Sequence, residues 1–338
     1  EIFPLQIYNN ILIDNGISIS NGGGTESVRY RLTNNFITNL SGVAISFGNG
    51  SDFQDSIAYN YIQSNQNCIS FSDNPYSDPN NKIIIYNTFI GSTSSELLKI
   101  NGNGHQLNFN NFYNVTGLLL NNISSNYLNA ENNFWGTNDT SIIDTKILDY
   151  FDDFAFGEVD YSPFDTLINV NAPIFPVKNF SKTSIPSGEL QLNWLVNAET
   201  DISGYKIHYG SFNGYSFSNT IDVGNISSYT LSGVSIDSAI AITAYDINAD
   251  GTNDQIEGHE SWFSVAKIFT VENITQDLGY DEIQEAINFS NNGDTIIVSP
   301  GTFVENINFN GKNIVLASEF LLSGDTSFIS STMLITVT

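Results

Sequence analysis

Apolar residues in the first half of this 338-residue chain come in short runs that end at Gly, Asn, Ser or Asp before they reach helical length. Many begin on asparagine: Asn9-Asn10-Ile11-Leu12-Ile13, Asn34-Asn35-Phe36-Ile37, Tyr59-Asn60-Tyr61-Ile62, Tyr86-Asn87-Thr88-Phe89-Ile90, Asn110-Asn111-Phe112-Tyr113 and Asn132-Asn133-Phe134-Trp135-Gly136. Counted on Asn10, Asn35, Asn60, Asn87, Asn111 and Asn133, the spacings are 25, 25, 27, 24 and 22 residues, a period that signals a solenoid with one coil per cassette.

Each period carries a second apolar strand, as in Gly42-Val43-Ala44-Ile45-Ser46-Phe47, Cys68-Ile69-Ser70-Phe71, Leu97-Leu98-Lys99-Ile100 and Leu118-Leu119-Leu120. No long amphipathic helix separates these strands, which excludes a βαβ fold. Asparagine suits the corners because it tolerates the left-handed backbone region, and equivalent asparagines in successive coils can stack into a hydrogen-bonded ladder. The dense Ile, Phe and Tyr content argues against a disordered Asn-rich segment.

The cassettes, with the closing Asn132-Asn133-Phe134-Trp135-Gly136-Thr137 and then Asp144, Asp149, Gly157 and Tyr161-Ser162-Pro163, resemble the C-terminal end of right-handed parallel β-helix proteins of the pectate-lyase-like superfamily. The resemblance covers residues 1 to about 168 and implies a fold, not an activity.

A boundary falls at Asn171-Ala172-Pro173-Ile174-Phe175-Pro176, where the asparagine period stops and two prolines interrupt any backbone ladder. Beyond it the pattern becomes period two, in Leu190-Gln191-Leu192-Asn193-Trp194, Gly204-Tyr205-Lys206-Ile207-His208-Tyr209-Gly210, Ser228-Tyr229-Thr230-Leu231, Ile240-Ala241-Ile242-Thr243-Ala244-Tyr245 and Trp262-Phe263-Ser264-Val265-Ala266. Strands of this kind with turn residues between them predict a β-sandwich. Over about residues 172 to 270 the segment resembles a fibronectin type III domain, through the Trp194 strand, the Gly204-Tyr205-x-Ile207-x-Tyr209 strand and Ala244-Tyr245-Asp246. It departs from that family at Ser238, where the resemblance implies the tyrosine of a tyrosine corner.

The last segment places Ile283, Ala286 and Ile287 on one helical face, with Asp281 as candidate N-cap. Strands follow at Thr295-Ile296-Ile297-Val298, Asn306-Ile307-Asn308-Phe309, Asn313-Ile314-Val315-Leu316 and Phe328-Ile329. This run resembles the N-terminal cap and first coils of pectate-lyase-like β-helices, where a short helix plugs the start of the solenoid. The predicted fold is therefore all-β, with a parallel β-helix over 1–170, a sandwich over 171–270, and a β-helix start with a capping helix over 271–338. The later coils precede the first ones. With Glu1 opening inside one repeat and Thr338 closing inside another, the expectation is two incomplete solenoid pieces.

Charge narrows the partners. A formal net charge of −26 with only 10 Lys and Arg argues against phosphate-rich ligands, because binding by counterion release needs clustered cations; nucleic acid and anionic membranes are poor candidates. No apolar stretch reaches the ~20 residues that span a bilayer, and no signal peptide opens the chain. The single Cys68 offers no disulfide and is expected to be a buried, inert thiol. Acidity, polar turns and the domain mixture resemble those of exported bacterial surface proteins, which implies an extracellular or cell-surface location.

Residues 246–257 match the D-x-[DN]-x-[DN]-G-x5-E calcium-loop pattern at every specified position. Asp246, Asn248, Asp250, the Thr252 carbonyl, Asp254 and bidentate Glu257 supply the oxygen ligands that Ca2+ prefers, with Gly251 at the sharp turn. An acidic hairpin loop is the plainer alternative, and strands replace the flanking helices of an EF-hand.

No catalytic constellation emerges. Arg29, Arg31, Lys82, Lys99 and His105 are the basic candidates for a lyase, and Asp52 with Asp55 or Asp73 with Asp78 for a hydrolase, but such aspartates suit solvated turns. Two function classes remain. In the first, an extracellular structural or adhesive protein forms a head-to-tail homopolymer in which the C-terminal β-helix start of one unit completes the β-helix of the next. Its interface residues are Ile283, Ile287, Ile314, Phe328 and Ile329 on one side and Ile2, Phe3 and Ile7 on the other. A covalent variant of the same idea is a longer array of β-helices and sandwiches. The second class is a polysaccharide lyase or carbohydrate-binding protein whose Tyr8, Tyr61, Tyr86 and Tyr113 recur at roughly coil spacing.

Overall fold

A computed structural model describes residues 4–19, 29–48, 54–71, 81–91, 96–113, 117–214, 216–250, 258–276 and 278–335. Backbone contacts divide the chain into two units. One comprises Glu1–Phe175 with Ala198–Ile202 and Tyr245–Ser261; the other comprises Pro176–Asn197, Ser203–Ala244 and Trp262–Thr338.

The first unit is a parallel β-solenoid of about five turns. Three strands make each turn, and each strand pairs with its equivalents in the neighbouring turns. Sheet A stacks Leu5–Tyr8, Tyr30–Thr33, Ser56–Ala58, Ile83–Ile85, Gln106–Asn108, Leu128–Asn129 and Val159–Asp160. Sheet B stacks Ile11–Ile13, Phe36–Asn39, Tyr61–Ser64, Thr88–Ile90 and Asn111–Tyr113; sheet C stacks Ile17–Ile19, Ile45–Phe47, Ile69–Phe71, Glu96–Ile100, Leu118–Asn122 and Ile147–Leu148. The asparagine cassettes thus straddle the A-to-B corner, and the second apolar strands of the sequence pattern are sheet C.

Parallel register makes like lie on like. Leu32, Ile57, Ile84 and Leu107 form one inward row, Ile37, Ile62, Phe89 and Phe112 a second, and Ile45, Ile69, Leu98 and Leu120 a third. All twelve are at most 1% exposed. Branched and aromatic residues fit this role because their stiff side chains pack on a pleated surface with little rotamer entropy to lose.

Two adjacent residues share the work of each A-to-B corner. The first takes the left-handed conformation: Asn9, Asn34, Tyr59, Tyr86, Phe109 and Asn132 have φ between 54° and 60°. The second is an inward asparagine whose amide Nδ2 donates to the Oδ1 of its equivalent one turn on, from Asn10 to Asn35 (2.9 Å), Asn35 to Asn60 (2.8 Å), Asn60 to Asn87 (2.9 Å), Asn87 to Asn110 (3.0 Å) and Asn110 to Asn133 (3.0 Å). Each ladder Oδ1 from Asn35 onward also accepts the backbone N–H of the preceding ladder asparagine. Nδ2 of Asn60 and Asn87 further satisfies backbone carbonyls within and between turns, so polar groups that burial would otherwise strand are paired.

This geometry corrects the sequence count at one cassette. Phe109 occupies the left-handed corner there, so Asn110 joins the ladder and Asn111 begins the next strand. The ladder steps are 25, 25, 27, 23 and 23 residues.

The closing motif finishes the stack. Trp135 lies over Phe112 with centroids 4.9 Å apart, continuing the Phe89–Phe112 column. Gly157 is required by contact: a Cβ there would sit 1.9 Å from the Asn126 carbonyl oxygen.

Two antiparallel sheets follow, all but Ile202, Tyr245 and Asp246 of their strands belonging to the second unit. One has the order Lys178–Ser184, Leu190–Leu195, Ser228–Leu231, and the other Phe217–Gly224, Ile202–Phe212, Ile240–Asp246, Ser264–Val265. Trp194, Tyr205, Ile207, Ile240 and Ile242 are buried. At Ser238, where a tyrosine corner was in question, the backbone carbonyl accepts a hydrogen bond from Lys182 Nζ at 2.7 Å.

The C-terminal segment forms Val271–Asn273, Leu278–Tyr280, the helix Ile283–Phe289, the strands Thr295–Val298, Gly301–Val304, Val315–Ser318 and Thr332–Ile335, and two short helices, Phe320–Ser323 and Ser327–Ser331, the second of which takes the place of the strand expected at Phe328-Ile329. Two of its pairings are parallel: Thr295–Val298 with Val315–Ser318, and Gly301–Val304 with Thr332–Ile335. Ile283, Ala286 and Ile287 bury the predicted helical face. The N-cap is Glu282 rather than Asp281, and its side chain makes no cap bond. Asp281 instead pairs with Lys267, while Glu305 accepts from the N–H groups of Ile283 (2.9 Å) and Gln284 (2.8 Å). Lys312 closes the other end, donating to the carbonyls of Ile287, Asn288 and Ser290 at 2.7 to 2.8 Å. A carboxylate at the N-terminus and an ammonium at the C-terminus both oppose the helix dipole, and both come from the strand layer that follows.

Candidate functional site

The corner geometry puts rings on the outside of the solenoid. At a left-handed residue the side chain points away from the ladder, and three consecutive turns carry Tyr59, Tyr86 and Phe109 at this position. Their rings stack with centroids 5.2 and 5.3 Å apart and planes 7° and 14° from parallel. Tyr59 is 39% and Phe109 36% exposed. Asn34 and Asn132 hold the same position one turn to either side, so the column is three rings long.

Beyond Phe109, a hollow of about 580 Å3 is lined by Phe109, Gln106, Asn108, Asn129, Glu131 and Asn132, among others. Sheet A sets its floor, because Gln106 pairs in register with Asn129. Asn108 Nδ2 donates to Asn129 Oδ1 and to the Glu131 carbonyl at 2.9 Å, which holds the amides in one row. Tyr127 stands at the rim, its hydroxyl 2.8 Å from Asp160, and the phenol is pushed up to about 12, chiefly by that hydrogen bond.

Of the tyrosines singled out by spacing, Tyr86 belongs to this column and Tyr8 is exposed. Tyr61 is buried at 4% exposure, stacked on Phe36, and Tyr113 is covered by Phe175 at 4.1 Å, where burial pushes its phenol up to about 12. The four do not share one corner register. Aligning each turn on its ladder asparagine, one residue before it, is the signal that finds Tyr59 and Phe109.

Three of the basic and acidic candidates, Asp55, Lys82 and His105, are paired inside the solenoid. Asp55 is no solvated turn residue: its carboxylate is 2.7 Å from Lys82 Nζ, with both side chains 1% exposed, and it accepts the Tyr30 N–H at 2.8 Å. His105 accepts the Lys82 N–H at Nδ1 (3.1 Å) and donates from Nε2 to the Asn101 carbonyl (2.9 Å), which assigns its tautomer. Arg29 and Arg31 are exposed, Lys99 is half-buried, and Asp52, Asp73 and Asp78 lie outside the described residues. Cys68 is fully buried, and burial raises its thiol pKa.

Three of the six calcium candidates fall within the described residues, Asp246, Asn248 and Asp250; Thr252, Asp254 and Glu257 lie outside them. Asp246 is 2% exposed, and its two oxygens are engaged by His259 Nδ1 (2.8 Å) and by the Asn248 N–H (2.7 Å). Both carboxylate oxygens are thus hydrogen-bonded without a cation, each with a further lone pair that these bonds do not use. Among the described residues no cluster of three or more His, Cys, Asp or Glu side chains is gathered to hold a metal.

The candidate interface residues divide. Ile283 and Ile287 are buried in their own core with Val271, Tyr280 and Ile296. Ile314 packs against that core, Phe328 is half-buried and Ile329 is 56% exposed. Ile7 packs against the solenoid core, while Ile2 and Phe3 lie outside the described residues. The sequence pattern did not mark Met333, Leu334 and Ile335, three consecutive apolar residues between 43% and 52% exposed on the outermost strand of the C-terminal parallel pair. No described helix is long and apolar enough to cross a membrane. Neither a protein-family model nor a curated protein matches this chain.

Proposed function

We propose that this chain is an extracellular structural or adhesive building block whose solenoid pieces join head to tail. The observation that carries the reading is the pair of parallel ladders in the C-terminal segment. They are the same kind of pairing as the solenoid turns, and their outermost described strand, Thr332–Ile335, presents Met333, Leu334 and Ile335 to solvent. On the solenoid, the edge strands Leu5–Tyr8 and Ile11–Ile13 likewise leave Leu5, Tyr8 and Ile13 more than half exposed. An apolar strand edge with unpaired backbone groups is a template for strand addition.

The finer family readings belong to this proposal. The asparagine ladder supports a right-handed pectate-lyase-like solenoid, and the three-plus-four antiparallel strand order supports a fibronectin type III-like sandwich. Electron microscopy of the purified chain over a concentration series tests the joining. Filaments with a regular axial repeat are expected; monodisperse monomers at high concentration would count against joining between molecules and leave only a covalent array.

Calcium at residues 246–257 is part of the same reading, as a brace for its loop. Calorimetric titration of chelator-treated protein should give heat and a thermal shift, and silence in both removes the ion. A second reading, carbohydrate binding, is favoured by one observation: the outward column of Tyr59, Tyr86 and Phe109.

A further inference from the structure

We infer that the hollow above Phe109 is a subsite for a neutral sugar ring, an inference that rests on the carbohydrate-binding reading and gives it a place and a ligand class. One face of Phe109 is covered by Tyr86; the ring is 36% exposed and lines the hollow beside Asn132, which stands at the next turn's corner where the column would have a further ring. The ring column ends at Phe109, and a flat ligand would extend it by lying over the part of the Phe109 ring that reaches past the shorter Asn132 side chain. Its volume, about 580 Å3, lies within the range of small-ligand pockets.

The chemistry of the walls narrows the occupant. A pyranose has an apolar C–H face that stacks on an aromatic ring and an equatorial rim of hydroxyls that both donate and accept. Phe109 supplies the face, and Gln106, Asn108, Asn129, Asn132 and Glu131 supply amide and carboxylate partners around it.

Charge selects within sugars. The described residues that line the hollow include Glu131 and no lysine or arginine, and the chain carries a net −26. A uronate or phosphorylated sugar would meet repulsion without a counter-charge, whereas a neutral hexose or N-acetylhexosamine meets none. The subsite therefore takes neutral rings.

Two variants test this on the full chain. Phe109→Ala removes the platform, and Asn132→Tyr fills the hollow by extending the column; the second should fold normally, because Tyr59 and Tyr86 hold the same conformation at the equivalent corners. Calorimetry would use neutral hexasaccharides of glucose, mannose and N-acetylglucosamine, with oligogalacturonate as the anionic probe. At least one neutral probe should bind the unaltered protein, with affinity lowered about tenfold or more in each variant and the melting temperature of Asn132→Tyr unchanged. Neutral binding that survives both variants overturns the subsite and spares the wider carbohydrate reading. Tighter binding of oligogalacturonate overturns the neutral class, and binding of no probe overturns the reading and the subsite together.

Discussion

Asp55 and Lys82 sit 27 residues apart in sequence and 2.7 Å apart in space, inside the solenoid and out of water. The pair is not a large source of stability, because desolvating two charges offsets their attraction, but breaking it strands the survivor. Asp55→Asn is therefore expected to lower stability by about 3–5 kcal/mol, with Asp55→Asn plus Lys82→Met recovering part of the loss, in urea unfolding. His208 makes the second residue-scale argument. It lies between Thr243 Oγ1 (2.9 Å) and Thr220 Oγ1 (3.1 Å), and burial, helped by Lys206, lowers its pKa to about 4. The folded pKa is below the unfolded one, so the unfolded chain takes up the proton first. Stability should be complete above about pH 6.5, fall by about 3 kcal/mol toward pH 4, and change no further below that through this group. His208→Gln should flatten that window in melts recorded across pH.

Element by element, the solenoid turn depends on a division between neighbours: a left-handed residue bends the chain and an asparagine binds the bend to the next turn. Asn87 accepts from Asn60 N and Nδ2 and donates to Ile57, Ile85 and Asn110, so its loss leaves buried backbone groups unpaired. Asn87→Ala should cost about 2–4 kcal/mol, whereas Asn10→Ala, at the exposed end of the described ladder, should cost about 1 kcal/mol or less, in denaturant midpoints. The ladder was legible in the period of the cassettes, and its register was not, because Phe109-Asn110-Asn111 offers two asparagines and only backbone geometry chooses between them. The C-terminal helix was legible from Ile283, Ala286 and Ile287, but its caps were not. Glu305 and Lys312 arrive from more than 20 residues away, beyond any local capping rule.

For the whole molecule, head-to-tail joining predicts that the exposed outer strand matters more to assembly than to folding. Met333→Lys with Ile335→Lys places charges on residues 52% and 43% exposed, so the melting temperature should hold while filaments disappear from micrographs. Loss of both fold and filaments would point to a structural role for that strand instead. Truncating the entire C-terminal segment is a poorer test, because Leu195 packs against its core and Asn179 donates to the Gly279 carbonyl, so the sheet beside it would be damaged as well.

Sequence alone determined that the first part of this protein is a solenoid of short strands, because a fixed period of apolar runs and asparagines has no other way to bury its rows. It also set the expectation that anionic partners are poor candidates, since −26 of charge with 10 cations leaves little to hold an anion. Only the tertiary structure decided which residues of each turn face water. Two positions along the chain separate the exposed Tyr59 from the buried Tyr61, and Asp55, which the sequence placed in a solvated turn, is buried. The reason is physical: in a stacked coil, a residue's environment is set by the corner it occupies and by its equivalents one turn away, neighbours that lie 23 to 27 residues distant along the chain.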